Sequence, residues 1–130
     1  RPKIAKNPPW DGGFTWQKDK NKNHFIANSN QGIGASIWWP CKDHPYDEPD
    51  KGVNISVTTP KNLMDVSNGR FIGAIDNKNG TKTYQWQVVN PINSYAINTN
   101  IADYIHFSEV YKGEKGDLDC NYYVLSYNLE

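Results

Sequence analysis

Val53-Asn54-Ile55-Ser56-Val57-Thr58, closed by Pro60, is the stretch that decides the fold. Its β-branched apolar residues stand two apart with polar residues between them, the period of a strand buried on one face. A helix would place the apolar positions three or four apart. Pro60 stops the run because proline has no N–H to give a neighbouring strand. Downstream, Leu63 to Val66 and Phe71 to Ile75 flank Asn68-Gly69. Asn79-Gly80 then precedes Thr83 to Val88, where Tyr84, Trp86 and Val88 share a face. Asn-Gly pairs accept the positive φ of a type I′ turn, so the sequence predicts a hairpin at each pair and a three-stranded meander. Ser94 to Asn98 and Ile101 to Tyr111 resume the β-rich pattern, Gly113 and Gly116 break it, and Asp119 to Asn128 makes a last strand.

Upstream, Arg1 to Pro9 reads as an extended lead-in and Asp11-Gly12-Gly13 as a turn. Phe14 to Gln17 and His24 to Ala27 form a hairpin across Lys18 to Asn23. Phe14 and Trp16 fall on one strand face, and Trp16 and Trp86 are expected to look inward. No stretch beyond about ten residues keeps a capped helical period. The chain reads as all-β, an antiparallel β-sandwich or curved sheet, in one domain over 1–130.

Composition narrows the partners. Of 130 residues, 37% are hydrophobic and 13% aromatic, so tryptophan and tyrosine must supply much of the core. Lys plus Arg equals Asp plus Glu at 14 each, which gives no electrostatic footprint for nucleic acid or an anionic membrane. No apolar run approaches the roughly 18 residues of a membrane span. Cys41 and Cys120 allow one bridge or two free thiols. Free thiols are favoured, since small disulfide-stapled folds usually carry more cysteines. The compartment stays open.

Between the hairpin and Val53 lies Gln31-Gly32-Ile33-Gly34-Ala35-Ser36-Ile37-Trp38-Trp39-Pro40-Cys41-Lys42-Asp43-His44-Pro45-Tyr46-Asp47-Glu48-Pro49-Asp50. It has no clear period and joins a glycine half to a proline half, the mark of a long ordered loop with a functional role. His24, His44 and His106 with Asp43, Asp47, Glu48 and Asp50 supply titratable groups, but neither His-Glu-x-x-His nor Gly-x-Ser-x-Gly is present, so no catalytic residue is assigned. The four acids are the hard oxygen donors that calcium takes, without the spacing of an EF-hand; they read as a solvated rim, and no metal site is assigned. Lys42 beside Cys41 can lower a thiol pKa, yet no partner base stands near in sequence, and Cys41 reads as a packed structural thiol. The five tryptophans also fit a carbohydrate-binding β-sandwich that stacks sugars on exposed rings, the alternative to a core filled by tryptophan.

The loop resembles the Gln-x-x-x-Ala-Arg-x-x-x-Pro-Cys-x-Asp-x-Pro stretch of the aminopeptidase N family of zinc aminopeptidases, which includes leukotriene-hydrolysing members. Gln31, Ala35, Pro40, Cys41, Asp43 and Pro45 match its spacing. Pro91-Ile92-Asn93-Ser94-Tyr95 resembles that family's Pro-x-x-x-Tyr, and Trp10-Asp11-Gly12-Gly13-Phe14 with Trp38-Trp39-Pro40 is similar to a bacterial branch. The family's arginine after the alanine is Ser36 in this chain, so any salt bridge made there is missing.

The resemblance implies the later part of a saddle-shaped, β-sandwich amino-terminal domain that leans over a separate catalytic domain joined in cis. Zinc, its His-Glu-x-x-His ligands and the Gly-x-Met-x-Asn loop would lie in that second domain, and this chain alone is expected to be inactive. It implies that Gln31 accepts a hydrogen bond from the free α-amino group of a peptide substrate. Gly32 and Gly34 would aim it, and Pro40, Cys41, Asp43 and Pro45 would hold the loop, Asp43 by accepting backbone N–H groups. A domain cut from its parent is also expected to leave open sheet edges that pair between copies.

Overall fold

The computed structural model describes residues 3–129. Nine strands follow in order: β1 (Gly13–Lys18), β2 (His24–Ser29), β3 (Val53–Pro60), β4 (Met64–Ser67), β5 (Arg70–Asp76), β6 (Thr81–Val88), β7 (Thr99–Ala102), β8 (Tyr104–Gly113) and β9 (Gly116–Leu125). Short 3-10 turns stand at Ala35–Ile37, Ser94–Ala96 and Ser126–Asn128. The fold is all-β, as the periodicity predicts. One sheet runs β1-β2-β7-β4, a second β3-β6-β5, and β8-β9 stands as a long hairpin, with all of these strand pairs antiparallel.

The β1–β2 hairpin matches the sequence reading, and its turn is built by Asp19, whose carboxylate accepts the backbone N–H groups of Asn21 and Asn23 at 2.9 and 2.8 Å. The β5–β6 hairpin also forms, closed by Asn77 N–H on the Thr81 carbonyl at 3.1 Å. The predicted hairpin at Asn68-Gly69 does not. β4 pairs with β7 in the first sheet and β5 with β6 in the second, so the two residues carry the chain from sheet to sheet. The meander is replaced by the order β3-β6-β5. Gly69 stands there because a Cβ would lie 2.2 Å from the Gln87 carbonyl oxygen, a backbone approach that only glycine permits. Asn68 serves a distant segment: its Oδ1 accepts Asn98 N–H at 2.7 Å and its Nδ2 donates to the Ala96 carbonyl at 3.1 Å.

Two further expectations are corrected. Ser94 onward forms a 3-10 turn because Asn93 caps it, accepting Tyr95 N–H on Oδ1 at 2.8 Å, and the strand starts only at Thr99. Trp16 does not look inward; it is 53% exposed, and its indole N–H donates to His24 Nδ1 at 3.1 Å across the hairpin.

The core lies between the sheets. Ile26, Leu63, Tyr84, Trp86, Ile97 and Ala102 are buried, and the large aromatics each contribute on the order of 2–3 kcal/mol through removal from water. A fully buried carboxyl, Asp65, sits among them. It accepts the Ser67 hydroxyl at 2.9 Å and the Thr99 hydroxyl on its other oxygen. Burial pushes its pKa up, opposed by the Thr99 and Ser67 hydrogen bonds. The Trp86 indole N–H also favours the carboxylate but closes no hydrogen bond of normal geometry. Burial and the nearby charge of Asp65 in turn raise Tyr84 and Tyr104.

Candidate functional site

The loop between β2 and β3 is rooted by Asn30, the residue before Gln31. Asn30 is buried and spends its amide completely. Its Nδ2 donates to the carbonyls of Tyr95 at 2.7 Å and Ile97 at 3.1 Å, and its Oδ1 accepts the Trp38 indole N–H at 3.0 Å. Trp38 in turn packs edge-on against Phe14 of β1, ring centroids 5.9 Å apart. One amide thus ties the start of the loop, its tryptophan and the segment after β6 into a single frame. Sequence reasoning missed Asn30, since an asparagine in a polar run carries no signal of the partners 65 and 67 residues away.

From that root the chain makes one tight turn, closed by Gly34 N–H on the Asn30 carbonyl at 3.0 Å. Gly34 has φ 89 and ψ 172, a conformation essentially reserved for glycine. A Cβ there would stand 2.6 Å from the Asp43 carboxylate. That carboxylate accepts Ser36 N–H at 2.9 Å and also the Ser36 hydroxyl. The two short donors of Ser36 hold Asp43 against the glycine turn. The Ser36 hydroxyl first, and its N–H second, keep the Asp43 carboxyl below the usual range.

The proline half of the loop lies on the segment Pro91 to Tyr95. Asn93 Nδ2 donates to the Pro45 carbonyl, and the Ser94 side chain stands by the half-buried Cys41 without closing a hydrogen bond of normal geometry. Burial first, then the Asp43 charge, pushes the Cys41 thiol up, against the influence of the Ser94 side chain. A raised thiol pKa runs against the nucleophile that Lys42 suggested; Lys42 instead faces Asp47 at 3.7 Å. Cys41 and Cys120 are both free. Pro40 and Pro45 are exposed.

The two quoted stretches meet at their ends. Tyr95 Oη donates to Gln31 Oε1 at 2.8 Å. Gln31 and Gly32 are exposed at the tip of the turn, and Gly32 has φ +74 with open space around it. Beside this pair opens a cavity of about 310 Å³, lined by Gly34, Asp43, His44, Asn93 and Tyr95 among others. Lys42 lines the same cavity, Gln31 stands outside it, and the Asp43 carboxylate is already engaged by Ser36. His44 stays on the rim, with its Nδ1 accepting Tyr46 N–H at 3.3 Å. Among the described residues no three His, Cys, Asp or Glu side chains come together where they could hold a metal ion. Of the tryptophans, Trp86 is buried, Trp38 and Trp39 are half-buried, and only Trp10 and Trp16 are exposed for stacking.

No family model and no curated protein matches the sequence. Solved structures do match. A mutant two-domain M1 zinc metallopeptidase bound to L-arginine superposes with a TM-score of 0.76 at 20% identity, over 96% of this chain and 28% of that one. An M1 zinc metallopeptidase from Deinococcus radiodurans superposes at 0.74 and 20% identity, over 96% and 27%. A mutant of the Deinococcus radiodurans protein bound to a Tyr-Ser-Ala substrate superposes at 0.75 and 19% identity, again over 96% and 27%. The chain spans little more than a quarter of each of these proteins. It has the fold of the matched part of the M1 zinc metallopeptidases.

Proposed function

We propose that this chain is the non-catalytic amino-terminal domain of a bacterial zinc aminopeptidase, and that Gln31 binds the free α-amino group of the peptide substrate. The observation that carries the reading is the placement of Gln31, exposed at the tip of a braced turn with its amide oxygen fixed by Tyr95. A carbonyl oxygen has two acceptor sites. Tyr95 takes one, and the other is open to an ammonium donor. A neutral amide meets that donor with less desolvation cost than a carboxylate would. A peptide whose amino terminus is blocked has no ammonium to donate, so the contact favours removal of residues from free amino termini.

Among the described residues no three His, Cys, Asp or Glu side chains gather where they could hold zinc. The metal would be held by a catalytic domain joined in cis, where it supplies Lewis-acid activation of water. This chain's share is recognition: Asn30 roots the arm, Gly32 and Gly34 turn it, and Pro40, Cys41, Asp43 and Pro45 hold the loop behind it.

The test is made on the complete product of the reading frame. Gln31→Ala should lower kcat/KM for a free-amine peptide roughly 10- to 100-fold, the loss of one hydrogen bond to a charged group. Gln31→Glu, which keeps an acceptor, should retain most of the activity. An unchanged rate in Gln31→Ala would remove Gln31 from the site.

A further inference from the structure

We infer that Tyr95 is a positioning residue for Gln31, holding the amide in the one orientation that presents its oxygen; the catalytic consequence rests on the function proposed above. An exposed glutamine has three rotatable bonds and samples many rotamers, so a loop that only displayed it would leave the amide to be ordered by each incoming ligand. The structure gives the amide a partner beforehand. Tyr95 Oη reaches Gln31 Oε1 at 2.8 Å from 64 residues away.

The backbone that carries the phenol is held by three hydrogen bonds, while the residue as a whole is 52% exposed. Tyr95 N–H donates to Asn93 Oδ1 at 2.8 Å, its carbonyl accepts Asn30 Nδ2 at 2.7 Å, and the 3-10 turn around it closes through Ala96 N–H on the Asn93 carbonyl at 2.9 Å. Asn30 is the residue before Gln31. The amide that roots the arm therefore also roots the tyrosine, and Asn30, Gln31 and Tyr95 form a closed ring of contacts. Movement of Asn30 relative to the Tyr95 backbone would have to break the part-buried Asn30–Tyr95 hydrogen bond. Tyr95 touches the amide and not the reacting atoms, so its effect must pass through Gln31.

Tyr95→Phe keeps the ring and deletes only the hydroxyl. In the 130-residue chain, the order parameter of the Gln31 side-chain amide should fall from about 0.8 to below about 0.6, while the backbone shifts of Asn30 and Asn93 and the melting temperature stay in place. Equal order in both proteins overturns the inference. Should Tyr95→Phe fail to fold, Gln31→Met removes the same bond from the other side; a shift of the Tyr95 Cζ resonance supports the bond, and no shift overturns it. In the complete enzyme Tyr95→Phe should lower kcat/KM several-fold for a free-amine peptide and cause no further loss in a Gln31→Ala background. An equal loss in both backgrounds overturns the inference. Loss of side-chain order with no change in kcat/KM supports positioning by Tyr95 and rejects Gln31 as the substrate anchor.

Discussion

Gly34→Ala perturbs the loop at the point where backbone and carboxylate are closest. Two costs follow from the geometry. The backbone at φ 89 and ψ 172 lies where an L side chain is strained by about 1–3 kcal/mol. The new Cβ would also stand 2.6 Å from both Cγ and Oδ1 of Asp43, which must move and release Ser36. Gly32→Ala serves as the reference, since its φ is +74 but nothing lies within 4 Å of the added Cβ. Strain alone should cost Gly32→Ala about 1–2 kcal/mol and shift the melting temperature by roughly 3–8 °C in a domain of this size. Gly34→Ala should melt lower still. The steric part is isolated by repeating Gly34→Ala in an Asp43→Ala background, where its cost should fall to the backbone strain alone. The assay is thermal unfolding of all the variants. Equal melting temperatures for Gly34→Ala and Gly32→Ala would refute the claim that Asp43 is packed against the turn.

Asp65→Asn tests the buried carboxyl. Because its pKa in the fold is raised, the native state keeps a proton that the unfolded chain gives up near pH ~3.9, and wild-type stability should fall relative to Asp65→Asn as pH rises through the folded pKa; a stability difference that stays flat with pH in urea titrations would contradict it. Asn30→Ala strands two carbonyls and the Trp38 indole N–H and should cost about 2–4 kcal/mol in urea unfolding; a loss below ~1 kcal/mol would show that the frame is not held there. The outer edge of β5 carries Ile72 and Ile75 at 58% and 52% exposure, so the isolated chain should self-associate at roughly 100 µM and Ile72→Lys should suppress it; a wild-type monomer in sedimentation at that concentration would exclude edge pairing.

What the sequence discloses is local, and what it hides is long-range. The period of two fixes β3, and the turn-rich runs Lys18 to Asn23 and Asn79-Gly80 mark two hairpins, although the second turns through positive φ at Lys78 and Gly80 and not as the type I′ turn expected at Asn79-Gly80. Asn68-Gly69 carries the same local signal and misleads, because turn residues say that the chain bends and not which sheet it bends into. Trp16 fails for a related reason: alternation assigns it a face, but only packing decides whether that face is covered. Gln31, Asp43 and the prolines are singled out by the loop's resemblance to the aminopeptidase stretch and not by any local pattern. The Tyr95–Gln31 bond and the Asn30 root are not legible, since each joins residues more than sixty positions apart.

The central claim is that this domain recognises a peptide's amino terminus while the chemistry belongs to a domain joined to it. The most direct measurement is hydrolysis of an alanyl chromogenic substrate with zinc present, by the isolated 130-residue chain and by the complete product of its reading frame, side by side. The account predicts no turnover by the chain and turnover by the complete product. Turnover by the chain alone, or none by the complete product, would contradict it.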